Sequence, residues 1–259
     1  MKTPTIFISH GAPTLLLDKT PTNNFLKNLG KSIDKPGAII CISAHWETSQ
    51  PMVTLSQKPK TIYDFYGFPD ELYKVQYPAP GDPVLAERII NMLNDAGIHA
   101  GGDPMRGLDH GTWVPLKLMY PDADVPVVQL SVQSHLGAEH HFKIGKALST
   151  LRDEGVLILG SGGATHNLRE FGLYSQNAQP VEYAEQFDNW LAKNITEGNT
   201  KQLLNYLKEG PHARRNHPTP EHFLPLFVPL GAANDSAKGR LLHSAIEYGI
   251  LSMAAFAWE

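Results

Sequence analysis

Three short apolar runs in this chain each lead into a histidine. Thr5-Ile6-Phe7-Ile8-Ser9 runs into His10, and Ala38-Ile39-Ile40-Cys41-Ile42-Ser43-Ala44 runs into His45. Val156-Leu157-Ile158-Leu159 continues through Gly160-Ser161-Gly162-Gly163-Ala164-Thr165 into His166. Runs of Ile and Val this short, closed by small residues, read as strands buried on both faces, as parallel strands are. In open α/β sheets the ligand lies outside the carboxyl ends of the strands. Imidazoles delivered to one such edge are what a metal site needs.

The 259 residues fit one large α/β domain. A net charge of −4 leaves no basic footprint for nucleic acid or for an anionic membrane. The opening Met1-Lys2-Thr3-Pro4 passes directly into a five-residue strand, too short for the apolar region of a signal peptide. No run approaches the roughly 20 apolar residues of a membrane span. The one cysteine, Cys41, excludes an internal disulfide and reads as a small core residue. A cytoplasmic protein is expected.

The pattern predicts strands at 4–9, 37–44, 125–132 and 156–161, and a final strand within 252–258. Asp82 as N-cap and Pro83 at the first helical position start a helix with Leu85, Ile89, Leu93 and Ala96 inward, ended by Gly97. A second helix runs from Gly137 to Glu154 with Ile144, Leu148 and Leu151 inward and Gly155 as its stop. Helices follow near 181–196 and 199–208, and another begins after Pro220. Strands alternating with helices give a single α/β domain over residues 1–259, with a central, mainly parallel or mixed sheet flanked by helices. The aromatic, proline-rich stretch from Thr61 to Asp82 reads as an ordered loop of the kind that forms lids.

Twelve histidines make it necessary to separate ligands from bystanders. His10 and His45 stand at equivalent ends of two strands expected to be neighbours, with Gly11 letting the backbone turn beside His10. His166 follows glycines that could cradle phosphate, but the Lys and Ser/Thr of a P-loop are missing. Its chemistry suits either a ligand or a general base. His110, in Leu108-Asp109-His110-Gly111, reads as a loop residue and a candidate proton donor; Asp109 could simply shape the turn. Thr219 looks like an N-cap with Pro220 next, which puts Glu221 and His222 on a first helical turn. Glu221 suits the positive helix end, whereas His222 is better explained as a neutral ligand. His217 reads as a loop residue. His135, His140 and His141 read as an exposed first turn, and His99, His212 and His243 have no supporting context.

Taken in order, Ser9-His10-Gly11-Ala12-Pro13, Ser43-Ala44-His45-Trp46, Thr61 to Pro69, Tyr77-Pro78-Ala79-Pro80-Gly81, Asp109-His110-Gly111, His166-Asn167-Leu168-Arg169 and Pro218 to Leu226 resemble the class III extradiol ring-cleavage dioxygenases, in the DOPA extradiol dioxygenase branch. The resemblance implies a non-haem Fe(II) enzyme that opens a catechol ring with O2. It implies His10, His45 and His222 as metal ligands, the last in place of the glutamate used by the wider class. It implies His166 and His110 as acid/base groups, His166 also being a possible additional ligand. Zn(II) would suit an all-histidine set in the isolated protein. Around the ring, Tyr63, Phe65, Phe68 and Trp46 are candidates for the pocket wall and Arg169 for a substrate carboxylate. The expected partners are the small-molecule catechol and O2, with the oligomeric state left open. A zinc hydrolase with metal-bound water as nucleophile, or a non-catalytic peptide-binding module, would use the same scaffold.

Overall fold

The computed structural model describes residues 2–234 and 236–259. Among the described residues, ten strands and nine α-helices occur in the order β1 (Thr5–Ser9), α1 (Pro21–Ser32), β2 (Ala38–Glu47), β3 (Met52–Thr54), α2 (Pro83–Asp95), β4 (Gly101–Asp103), α3 (His110–Met119), β5 (Val127–Val132), α4 (Gly137–Leu148), β6 (Val156–Gly162), α5 (Glu182–Glu197), α6 (Thr200–Leu204), α7 (Tyr206–Glu209), α8 (Ala213–Asn216), α9 (Phe227–Ala233), β7 (Arg240–His243), β8 (Ile246–Glu247), β9 (Leu251–Ser252) and β10 (Ala255–Trp258). Eight strands form one sheet in the order β4-β3-β5-β2-β6-β1-β10-β7, and β8 pairs with β9 separately. The centre is parallel: β5 with β2, β2 with β6, and β6 with β1. β10 is antiparallel to β1, which makes the sheet mixed.

Alternate residues of the central strands feed two opposite cores, as the pleat requires. Ile6, Ile8, Ile39, Cys41, Leu157 and Leu159 pack with Leu26 of α1 and Trp113 of α3. Ile40, Ile42, Val128 and Ile158 pack with Ile89 of α2, Ile144 and Leu148 of α4 and Val228 of α9. Phe7, Phe256 and Trp258 extend that second side towards α5 and Phe227. Helices thus cover both faces of the sheet. No helix among the described residues is long and apolar enough to cross a membrane.

Several expectations change. β6 lies between β1 and β2, so the strands carrying His10 and His45 are not neighbours. β2 runs through His45 to Glu47 rather than ending before it. The helix expected from Gly137 to Glu154 is α at 137–148 and tightens to a 3₁₀ stretch at 149–154 before Gly155 (φ 81°). The helix expected over 199–208 is two short helices, α6 and α7. Ala96 lies just past the end of α2 and is exposed. No helix starts at Pro220: residues 221–223 form turns, 224–226 a 3₁₀ turn, and α9 begins at Phe227. The reason is Pro225, which has no N–H to give Glu221 and so cannot continue an α-helix through that point.

Candidate active site

His10 follows β1, where its backbone N–H bonds Gly162 O of β6 at 3.0 Å, and Gly11 takes a left-handed turn (φ 64°) directly after it. His45 comes from the last turn of pleat in β2. His222 comes from the turns before α9, and its carbonyl accepts the Gly163 N–H at 2.8 Å. That backbone bond docks the His222 segment against the end of β6. A side chain at Gly162 would overlap the His222 carbonyl, so the close approach requires glycine there. Gly111 has a similar duty: a Cβ would lie 2.6 Å from Ser43 Oγ, 2.9 Å from His45 Cδ2 and 3.2 Å from His10 Cε1.

The three imidazoles meet through their Nε2 atoms. His10 Nε2 and His45 Nε2 are 3.0 Å apart, and His45 Nε2 and His222 Nε2 are 3.3 Å apart. Hydrogen bonds on the other ring nitrogens settle two of the tautomers. Ser161 Oγ donates to Gly111 O, so it can only accept from His10 Nδ1–H at 3.0 Å. Glu221 Oε1, an acceptor, takes His222 Nδ1–H at 3.0 Å. His10 and His222 therefore both present Nε2 lone pairs to the same point. His45 has one Nε2 position and could hydrogen-bond only one of them. Nitrogen donors brought together in this way could hold a metal ion. Burial foremost, with the neighbouring histidines next, holds His10 and His222 well below the ordinary imidazole range and His45 down to about 3. All three are neutral at pH 7, the state a ligand requires.

Two more histidines flank this point. His166 stacks on His222 with ring centroids 3.5 Å apart and planes at 9°. It belongs with His222 and Glu221 rather than with the His10, His45 and His222 group. Burial lowers it to about 4. His110 is the first residue of α3, not a loop residue; Asp109 is the N-cap and accepts Thr112 N–H at 3.2 Å. Asp109 does more than shape a turn. It is fully buried and also accepts from Ser43 Oγ (2.6 Å), Arg106 Nη2 (2.9 Å) and Gln129 Nε2. His110 sits 3.9 Å from His45, ring centre to ring centre, and bonds Asp64 through both its backbone N–H and its Nδ1.

A cavity of about 400 Å³ opens on these rings. His10, His45, His110, His166 and His222 line one end, and Phe65, Phe68, Phe171, Tyr248, Leu251 and Met253 line the walls. Asp18 and Glu247 are its carboxylates, and no Lys or Arg lines it among the described residues. A depression of about 600 Å³ lies at the amino-terminal ends of β1, β2 and β6, by Pro4, Gly37 and Gly155, and has no histidine.

The family described as the catalytic LigB subunit of aromatic ring-opening dioxygenase matches residues 4–257. The chain belongs to this family. It is 48% identical over 256 residues to the 4,5-DOPA dioxygenase extradiol of Beta vulgaris, covering 97% of this chain and 95% of that one. It is 40% identical over 253 residues to the protein of that name from Escherichia coli (strain K12), covering 96% and 92%. A solved structure of an uncharacterized protein from Escherichia coli K12 superimposes with a TM-score of 0.82 at 37% identity, each chain covered fully. Extradiol opening of a catechol ring is the activity that goes with this family.

At this cavity, the candidates from sequence divide. His10, His45, His222, His110 and His166 come together, and Phe65 and Phe68 line the cavity beside them. Tyr63 does not line it: its hydroxyl donates to Val75 O at 2.7 Å and its ring packs on Trp113. Trp46 does not either, because alternation along β2 turns it away from His45; it is buried under the Arg106 guanidinium, 5.1 Å from its ring centre. Arg169 is exposed, outside the lining, beside Leu168. His141, expected on an exposed turn, is fully buried. His217 is buried too, donating from Nε2 to Ala164 O at 3.0 Å. Sequence reasoning missed Asp64, Ser161 and Glu247. Asp64 lies within the aromatic segment already singled out, and Ser161 precedes a glycine on the strand that separates the two ligand strands.

Proposed function

We propose that His10, His45 and His222 hold Fe(II) in the working enzyme, and that the cavity beside them takes a catechol with an amine-bearing, DOPA-like side chain. The convergence of three imidazole Nε2 atoms from three separate chain segments carries this reading. Bound Fe(II) would supply the exchangeable positions and one-electron chemistry that bring a catechol and O2 together. Zn(II), favoured by nitrogen donors, would fill the same site in protein isolated without iron.

The chain's own residues would then handle protons, orientation and water. Neutral His166 takes the proton from a catechol hydroxyl at a ring nitrogen. His110 presents Nε2 to the same space and is the second group placed to accept a proton there and pass it on as the ring opens. Phe65 and Phe68 pack edge to face at 5.4 Å and exclude water from one side of the substrate. Asp18 and Glu247, unpaired with any Lys or Arg in the lining, suit an ammonium on the side chain. Burial raises the Glu247 carboxyl, and Asp18 adds to the effect. A cationic group beside them would reverse both.

A cytoplasmic setting belongs to the same proposal, because Cys41 is a buried free thiol and Fe(II) persists in reducing surroundings. Metal-free protein loaded anaerobically with Fe(II), then given DOPA and O2, should take up equimolar O2 and form a yellow ring-fission product. No uptake and no colour with iron bound would defeat the dioxygenase reading. Ester hydrolysis by the Zn(II) form would favour the hydrolase instead.

A further inference from the structure

Asp64 faces His110 and His45 on the side of the cluster away from Glu221, and nothing in the activity itself requires an acid at that position. Its Oδ1 accepts the His110 backbone N–H at 2.9 Å, and its Oδ2 accepts His110 Nδ1 at 2.9 Å. The same Oδ2 lies 3.5 Å from His45 Nδ1. We propose that Asp64 is a positioning residue that locks His110 in the Nδ1–H tautomer, so that its Nε2 faces the substrate as a proton acceptor. The proposal rests on the reading of His110 as an acid/base group.

The argument is one of donors and acceptors. An ionised carboxylate only accepts. Backbone N–H can only donate, so Oδ1 is committed to it and Oδ2 must take its proton from Nδ1. His110 starts α3, where backbone N–H groups have no partner inside the helix. Asp109 caps Thr112, and Asp64 reaches from 46 residues upstream to take the N–H of His110 itself. Both backbone and ring of His110 are thus held from one side, which leaves Nε2 as the free face.

Asp64→Asn is nearly isosteric and inverts the logic. Its one carbonyl oxygen must face the backbone N–H, so its NH2 faces Nδ1. The ring then has to accept at Nδ1 and carry its proton on Nε2. The probe is ¹⁵N NMR of histidine-labelled, Zn(II)-loaded protein above pH 8, with His110 assigned from its missing signals in His110→Gln. Wild type should show Nδ1–H with an unprotonated Nε2, and Asp64→Asn should show Nε2–H. With Fe(II), Asp64→Asn should lower kcat at least tenfold, leave KM within about threefold and keep full metal occupancy, in the range expected of a misplaced acid/base group. An Nε2–H tautomer in wild type overturns the proposal without any variant. Loss of metal from Asp64→Asn would also overturn it, making Asp64 a ligand together with His45 and His110. The tautomer result stands even if Fe(II) enzyme opens no catechol, so the two readings fail separately.

Discussion

His141 offers a stability test with a sign that can be worked out in advance. It is fully buried on α4; its Nδ1–H donates to Gly137 O at 2.7 Å, and its Nε2 accepts the Gln133 backbone N–H at 3.1 Å. Both nitrogens are used, and a second proton on Nε2 would face an N–H. Burial accordingly lowers its pKa to about 4, against about 6.5 in an unfolded chain. The unfolded state therefore binds more protons between those values, and folding stability is lost as pH falls. The two pKa values give a loss from this residue of about 1.4 kcal/mol at pH 5.5 and about 2.6 kcal/mol at pH 4.5, with almost none at pH 7. Metal-free wild type and His141→Gln, unfolded in urea at the three pH values, isolate the contribution. Glutamine can donate and accept at the same places but does not titrate. The difference between the two proteins should therefore shift towards the variant by these amounts as pH drops. Parallel stability curves would show that His141 is not a buried neutral imidazole.

The remaining predictions concern the site. Ser161→Ala leaves His10 Nδ1–H without its acceptor and should weaken metal binding about 10–100-fold, read by competition with a chelator; unchanged affinity would mean the ring is held without that bond. Gly162→Ala should push the His222 segment off β6, costing about 1–3 kcal/mol in stability and lowering metal occupancy together, as calorimetry and metal analysis would show. Glu247→Gln should raise KM for dopamine about tenfold while leaving 3,4-dihydroxyphenylpropionate unaffected, the size expected for one charge-assisted hydrogen bond; equal effects on both would remove the ammonium assignment.

What could be read from the residues follows from how far each signal travels along the chain. β1, β2 and β6 declared themselves because burial on both faces leaves an unbroken apolar run. Their order did not, since nothing local to β1 or β2 says that β6 lies between them. α3 was invisible for the opposite reason to a surface helix. Nine of its ten residues are buried, so it has no polar face and no stripe for a 3.6-residue period to reveal. His141 was misread although its signal was present: with Ile144 and Leu148 it occupies positions i, i+3 and i+7 of one helical face. Asp64 had no signal of its own, because its partner is 46 residues away and its loop has no periodicity.

The glycines of β6 show how a single observation can change the meaning of a motif. Gly160-Ser161-Gly162-Gly163 invites a phosphate reading, because glycine lets a ligand approach the backbone. Here the approaching group is the protein itself. Side chains at Gly160 and Gly162 would overlap the carbonyls of Pro225 and His222, and Gly163 N–H holds the His222 carbonyl at 2.8 Å. Ser161, the remaining residue of the run, turns its hydroxyl to His10. One strand, lying between two histidine strands, thus docks the segment bearing the third histidine and orients the first. The glycine pattern and the histidine at residue 222 are one feature, separated by sixty residues of chain and joined by a backbone hydrogen bond. That joint explains why a strand that contributes none of the three meeting imidazoles has no room for a side chain at Gly160 or Gly162.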